Sequence, residues 1–249
     1  MNNRILILET EVEGHHLEYI NHLIVKSKSS NDKYIFYLPK EFNKIKGNNL
    51  DWKYNDNVEI YTYDYENKKS FIAKLCYKTS LLMKSAKSFN ATHIFLISLM
   101  SFLPCLLFIP SKIKVSGIIY SIYLYRWNNS NFRQRFYDVL KYKLLSSLKT
   151  IDKVYILNDK NSARHLNKIY KTDKFKYLVD PFVPIEDNKI DIDKYNINDG
   201  NTIYFHFGSL SVRKGTLEIM NSLDYIEKDI LSKTTLIFAG KINNEIKND

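Results

Sequence analysis

Apolar residues along this chain fall into two alternating patterns. Short, nearly unbroken runs have the length of buried strands: Arg4–Leu8 (RILIL), Tyr34–Leu38, Ile94–Ile97, Lys114–Ser121, Lys153–Leu157 and Phe175–Val179. Val58–Thr62 alternates apolar and polar positions and predicts a further strand. Between these runs the apolar spacing shifts to that of helices. The pattern predicts helices over 14–26 (Leu17, Ile20, Leu23, Ile24), 70–87 (Phe71, Leu75, Leu81, Leu82), 99–108 and 160–170. Another is predicted over 131–148, with Phe132, Phe136, Val139, Leu140, Leu144 and Leu148 facing the core. Strand and helix alternating in this way predict an α/β fold: a Rossmann-like parallel sheet covered by helices on both faces.

The alternation breaks after Pro181 and Pro184, where the polar stretch Ile185–Gly200 reads as a linker. It then restarts with a strand (Ile203, Tyr204, Phe205, Phe207), a helix (Leu217, Ile219, Met220, Leu223) and a strand over Thr235–Ala239. The expected organisation is an N-terminal Rossmann-like domain over 1–184, a linker over 185–200, and the first β-α-β unit of a second such domain over 201–249. A unit that small cannot bury both faces of its own sheet, so the second domain is expected to be incomplete at Asp249.

Composition narrows the classes. With 45% hydrophobic residues among 249, the chain has ample material for a packed core. Its net charge of +10 fits an anionic membrane surface, a phosphate-bearing substrate or simple solubility. The lysines are spread along the chain, so nucleic acid is not an expected partner. Cys76 and Cys105 lack C-x-x-C spacing and read as two buried thiols, with no metal site expected. The start, MNNRILILE, lacks the apolar region of a signal peptide. The uncharged run Ile94–Pro110 sits at the short limit for a membrane span, and Pro104 interrupts it. A strand followed by a buried helix explains that run equally well.

Chemistry concentrates in four places. In the segment Ile203–Gly215 (IYFHFGSLSVRKG), a strand runs into Gly208, and a polar loop carries Arg213 and Lys214 to the start of a helix. Two cations at a helix start make an anion site; the plainer reading is a solvated basic turn. Gly14, His15 and His16 follow the first strand, where a helix N-terminus and imidazoles suit a sugar hydroxyl, a phosphate or a proton transfer. Glu18 lies one turn on, facing an acceptor or the surface. Tyr120–Trp127 (YSIYLYRW) leaves the fifth strand at the sheet's carboxyl edge, where Tyr120 and Arg126 suit sugar stacking or phosphate, and loop packing is the alternative. Helix 131–149 also carries Arg133, Arg135, Lys141, Lys143 and Lys149, suiting either contact with anionic lipid or a basic outer face on a core helix.

Taken together, strand-F-G-S-L-S-V-R-K-G after a linker, the Leu236–Gly240 turn (LIFAG), Gly14-His15-His16 and Val154–Asn158 (VYILN) resemble the GT-B glycosyltransferases, in particular their family-four-like retaining group. The resemblance covers the first domain and about the first third of the second. It implies a hexosyltransferase-like enzyme that moves a sugar from a nucleotide-diphosphate donor to an acceptor hydroxyl. The donor would lie between the two domains, with the acceptor mostly on the N-terminal side. Lys214 matches the family's diphosphate-binding lysine, with Gly208 and Ser209 beside it. Ser209 stands where the family usually has arginine, and Arg213 is expected to supply the second charge. The family's E-x7-E glutamates would fall beyond Asp249, so activity of this chain by itself is uncertain and no catalytic residue is assigned. No cofactor is expected beyond the nucleotide-sugar substrate. A sugar or lipid-linked acceptor, a role in surface polysaccharide or lipid-linked glycan synthesis, and a cytoplasmic location with peripheral contact at the inner membrane face complete the expectation. The alternative is a non-catalytic Rossmann-like binding module or a truncated transferase remnant. A dinucleotide enzyme is disfavoured, because ETEVEG, not G-x-G-x-x-G, follows the first strand.

Overall fold

The apolar runs do pair side by side. The computed structural model describes residues 3–12, 15–46, 56–66, 68, 70–120, 131–181 and 200–246, and the chain divides into two compact units, Met1–Val183 and Pro184–Asp249. In the first unit, β1 (Arg4–Leu8), β2 (Lys33–Pro39), β3 (Val58–Tyr63), β4 (His93–Leu96), β5 (Lys114–Ile119), β6 (Ile151–Leu157) and β7 (Phe175–Leu178) form a 7-stranded sheet. Its order is β3-β2-β1-β4-β5-β6-β7, and every pairing is parallel. The fold expectation therefore holds. The order reverses between β1 and β4, which places the topological switch point at the carboxyl ends of those two strands.

Because strand side chains alternate, β1 serves two cores. Leu6 and Leu8 enter one cluster with Ile35, Leu96, Phe102 and Phe175; Ile7 enters the other with Ile20, Ile24, Phe36 and Phe42. The first cluster is closed by α3 (Phe71–Ser88), the 3-10 helix Leu99–Phe108, α4 (Phe132–Ser147) and α5 (Lys160–Tyr170). The second is closed by α1 (His15–Ser27) and the short α2 (Phe42–Lys46). Side-chain caps start two helices: Asn131 Oδ1 accepts from Gln134 N at 2.9 Å, and Asp159 Oδ1 from Ser162 N at 2.8 Å.

Two expectations are corrected. The core face of α4 is not the apolar stripe. Tyr142, Leu145 and Asp138 are buried, whereas Phe132, Phe136, Val139 and Leu140 are exposed; of the expected set, only Leu144 and Leu148 touch the core. At about 100° per residue, 138, 142 and 145 form the opposite arc of the helix. That arc tolerates burial because Lys141 Nζ and Gln134 Nε2 reach Asp138 Oδ1 at 3.1 and 3.3 Å. The second correction concerns the cysteines. Cys105 is buried, and burial raises its thiol pKa, but Cys76 is exposed on the outer side of α3.

The second unit pairs β8 (Thr202–Phe207) with β9 (Thr234–Ala239) in parallel, Tyr204 opposite Leu236. The crossover holds a 3-10 turn (Val212–Lys214), α6 (Thr216–Ser222), a second 3-10 turn (Leu223–Tyr225) and α7 (Lys228–Leu231). Of the expected linker, only Gly200 falls within the described residues.

Candidate functional site

In the first unit a polar cluster sits at the switch point. Glu9 directly follows β1 and is fully buried. Its Oε1 accepts from the backbone N of Thr10 and Glu11 at 2.6 and 3.1 Å. Its Oε2 has no hydrogen-bond partner, but lies at ion-pair distance, 3.4 Å, from Nδ1 of His16 in the first turn of α1. His16 Nδ1 is also 3.3 Å from Ser98 Oγ, just beyond β4, and Nε2 is 3.4 Å from Glu11 Oε2. The contact with Glu9 raises the His16 pKa first; burial opposes this, and the charges of Glu9 and Glu11 reinforce it. The imidazole therefore holds a proton more readily than a free histidine does.

Tyr120, just after β5, lies beside His16 with ring centroids 5.5 Å apart. Its hydroxyl is buried and has no hydrogen-bond partner among the described residues, and burial raises its pKa. Tyr19 meets the Tyr120 ring edge-on at 5.8 Å and donates its hydroxyl to Asp180 Oδ1 at 2.6 Å. A cavity of about 400 Å³ opens here, lined by Glu11, His16, Ser98, Met100, Ser101, Ile118 and Tyr120. It thus presents a proton-holding imidazole, a free phenol and two serines on an apolar floor, a set suited to hydroxyl-rich ligands.

Among the residues expected from sequence, His16 and Tyr120 meet in this cavity. Glu18 is exposed on α1. Gly14 and Arg126 lie outside the described residues, as does the side chain of His15. Sequence reasoning missed Glu9, Ser98 and Asp180. A carboxylate immediately after the first buried strand is the one signal that would have found Glu9.

The second unit builds a separate site at the carboxyl end of β8. Gly208 has φ of 104° and Gly240, after β9, has φ of 148°, both in backbone space that favours glycine. A Cβ on Gly240 would stand 1.7 Å from the Gly208 carbonyl oxygen, so the two strand ends meet backbone to backbone. A Cβ on Gly208 would stand 2.8 Å from Lys214 Nζ, which places the ammonium directly over that glycine. Ser209 is exposed beside it, and Leu210 is buried, with its N donating to Lys241 O at 2.9 Å. The buried Thr216 hydroxyl accepts from Ser211 N at 3.1 Å and lies 3.1 Å from His206 Nε2. These bonds pin the loop from both sides.

The basic pair lies just before α6, in the 3-10 turn, where Lys214 N and Gly215 N donate to Ser211 O and Val212 O. Gly215, with φ of 72°, separates that turn from α6. The Arg213 side chain lies outside the described set. Among the described residues there is no group of three or more His, Cys, Asp or Glu able to hold a metal, and no helix long and apolar enough to cross a membrane.

No family model matches the chain, and no curated protein does. Solved structures do resemble it. The S. aureus MnaA–UDP co-structure has a TM-score of 0.59 at 8% identity, over 98% of this chain and 63% of that one. Sucrose-phosphate synthase from Thermosynechococcus elongatus has 0.55 at 10%, over 98% and 72%. A glycosyltransferase from Rickettsia africae ESF-5 has 0.50 at 14%, over 98% and 69%. The chain thus spans about two-thirds of the length of these structures. The likeness establishes the fold, a Rossmann-like α/β one.

Proposed function

We propose that this chain is a glycosyltransferase, hexosyltransferase-like, moving a sugar from a nucleotide-diphosphate donor to an acceptor hydroxyl. The observation that carries the reading is the Lys214 ammonium held over Gly208 in a pinned loop at the carboxyl end of β8. A cation there neutralises a diphosphate and stabilises it as the leaving group when the glycosidic bond breaks. Gly208 and Ser209 give the phosphates close access, and Arg213 supplies a second charge. Two structural neighbours support the reading: a protein solved with UDP and a sucrose-phosphate synthase. Retention of configuration follows from the sequence resemblance of the R-K-G loop.

The acceptor is assigned to the first unit. His16, oriented by Glu9 and Ser98, is placed to exchange a proton with an acceptor hydroxyl, and Tyr120 offers its free phenol to the same ligand. The acceptor class is a sugar or lipid-linked glycan of surface polysaccharide synthesis, handled in the cytoplasm, without nucleic acid. The donor brings its own leaving group, and no further cofactor enters the proposal.

Calorimetric titration with UDP-, GDP- and ADP-sugars tests this. One of them binds, and Lys214→Ala weakens it about 10- to 100-fold, the range for a lost charge-assisted hydrogen bond. If none binds, or if the alanine variant binds equally well, the donor assignment is wrong. His16→Gln leaves that titration unchanged and lowers transfer to an added acceptor.

A further inference from the structure

The inverted α4 presents a surface that the described residues leave exposed. Its outer arc carries Phe132, 82% exposed, Phe136, 59%, and Leu140, 52%, with Tyr137 and Val139 beside them. Arg133 and Lys143 are exposed on the same arc, and Lys149 follows just past the helix end. The helix's one carboxylate, Asp138, is buried on the opposite side. Its orientation is fixed at several points. Tyr170 Oη donates to Val139 O at 3.1 Å, and Lys174 Nζ donates to Ser146 O and Leu148 O at 2.9 and 2.7 Å. Rolling the apolar stripe inward would break these bonds and expose Leu145, which is fully buried.

We propose that this outer arc of α4 docks on an anionic lipid surface. Aromatic and aliphatic side chains interleaved with cations, and without a carboxylate among them, complement anionic headgroups over an acyl boundary. A second copy of the same face would set Arg133 and Lys143 against like charges, which disfavours self-association. The proposal rests on the helix face alone, so it and the donor reading can fail separately.

Sedimentation of the full chain with vesicles tests it. The chain partitions onto phosphatidylcholine–phosphatidylglycerol vesicles, binds phosphatidylcholine alone more weakly, and is released as salt rises. The double variant Phe132→Ser/Phe136→Ser lowers the partition coefficient about tenfold or more. Arg133→Gln/Lys143→Gln removes most of the preference for anionic lipid. Both variants change exposed side chains, and an unchanged thermal transition shows that the fold is intact. Equal binding by the serine variant and the parent chain overturns the proposal, as does no binding at all. A dimer dispersed by the serine variant overturns it in favour of a second copy.

Discussion

The sheets of the two units begin from the same kind of sequence and end in opposite conditions. In the first, Leu6, Leu8, Ile35 and Leu96 are fully buried. In the second, Ile203, Tyr204, Phe205 and Phe207 are exposed, although their strand pairs in parallel as regularly as β1 does. What differs is the company each strand keeps. β1 has a strand on either edge and helices over both faces, whereas β8 has β9 on one edge and short helical pieces in its crossover. An apolar run therefore states that a strand needs covering, and the number of neighbours decides how far that need is met.

Paired substitutions sharpen the contrast. The largest difference is expected between equivalent truncations. Phe102→Ala, in the first core, costs about 3–5 kcal/mol; Phe207→Ala, 68% exposed, shifts stability by about 0.5 kcal/mol or less. Urea denaturation followed by circular dichroism measures both, and similar costs would erase the contrast.

Glycines give the next test. A Cβ at Gly117 would lie 2.4 Å from the Leu96 carbonyl oxygen, and one at Gly240 only 1.7 Å from that of Gly208. Gly117→Ala is expected to cost about 1–3 kcal/mol of global stability. Gly240→Ala is expected to leave the main unfolding transition in place and abolish nucleotide-sugar binding through the displaced Lys214 loop. Hydrogen exchange locates each effect, and the same response to both substitutions would erase the contrast.

The smallest effect is expected from pH. The folded pKa of His16 is raised above 6.5, so the imidazolium with Glu9 and Glu11 stabilises the first unit fully below pH 6.5. That contribution fades as pH climbs through the raised value. His16→Gln flattens the corresponding slope of unfolding free energy against pH, with no change in hydrogen exchange in the second unit.

The strands were legible because each is a short apolar run between polar breaks; β1 and α5 match their predicted spans residue for residue. The orientation of α4 was not legible. Periodicity shows that an apolar stripe exists, but the sheet's position relative to that stripe depends on contacts such as Tyr142 with Phe175. The cavity around His16 was half legible. A histidine after a glycine at a strand's end is visible in sequence, but its partners Ser98 and Tyr120 arrive through strand order, from 82 and 104 residues away. Lys214 was visible from the glycines around it; the pocket of space it occupies over Gly208 was not.

That pocket of space has a consequence of its own. Position 208 carries no charge and no side chain, yet it decides where a charge resides. Any larger residue there would compete with the ammonium for the same space and turn its flexible four-carbon stem elsewhere. With glycine, that space stays open to the ammonium. The absence of one carbon atom thus leaves room for a charge, and a residue that contributes nothing to the loop's charge helps to decide where that charge can sit.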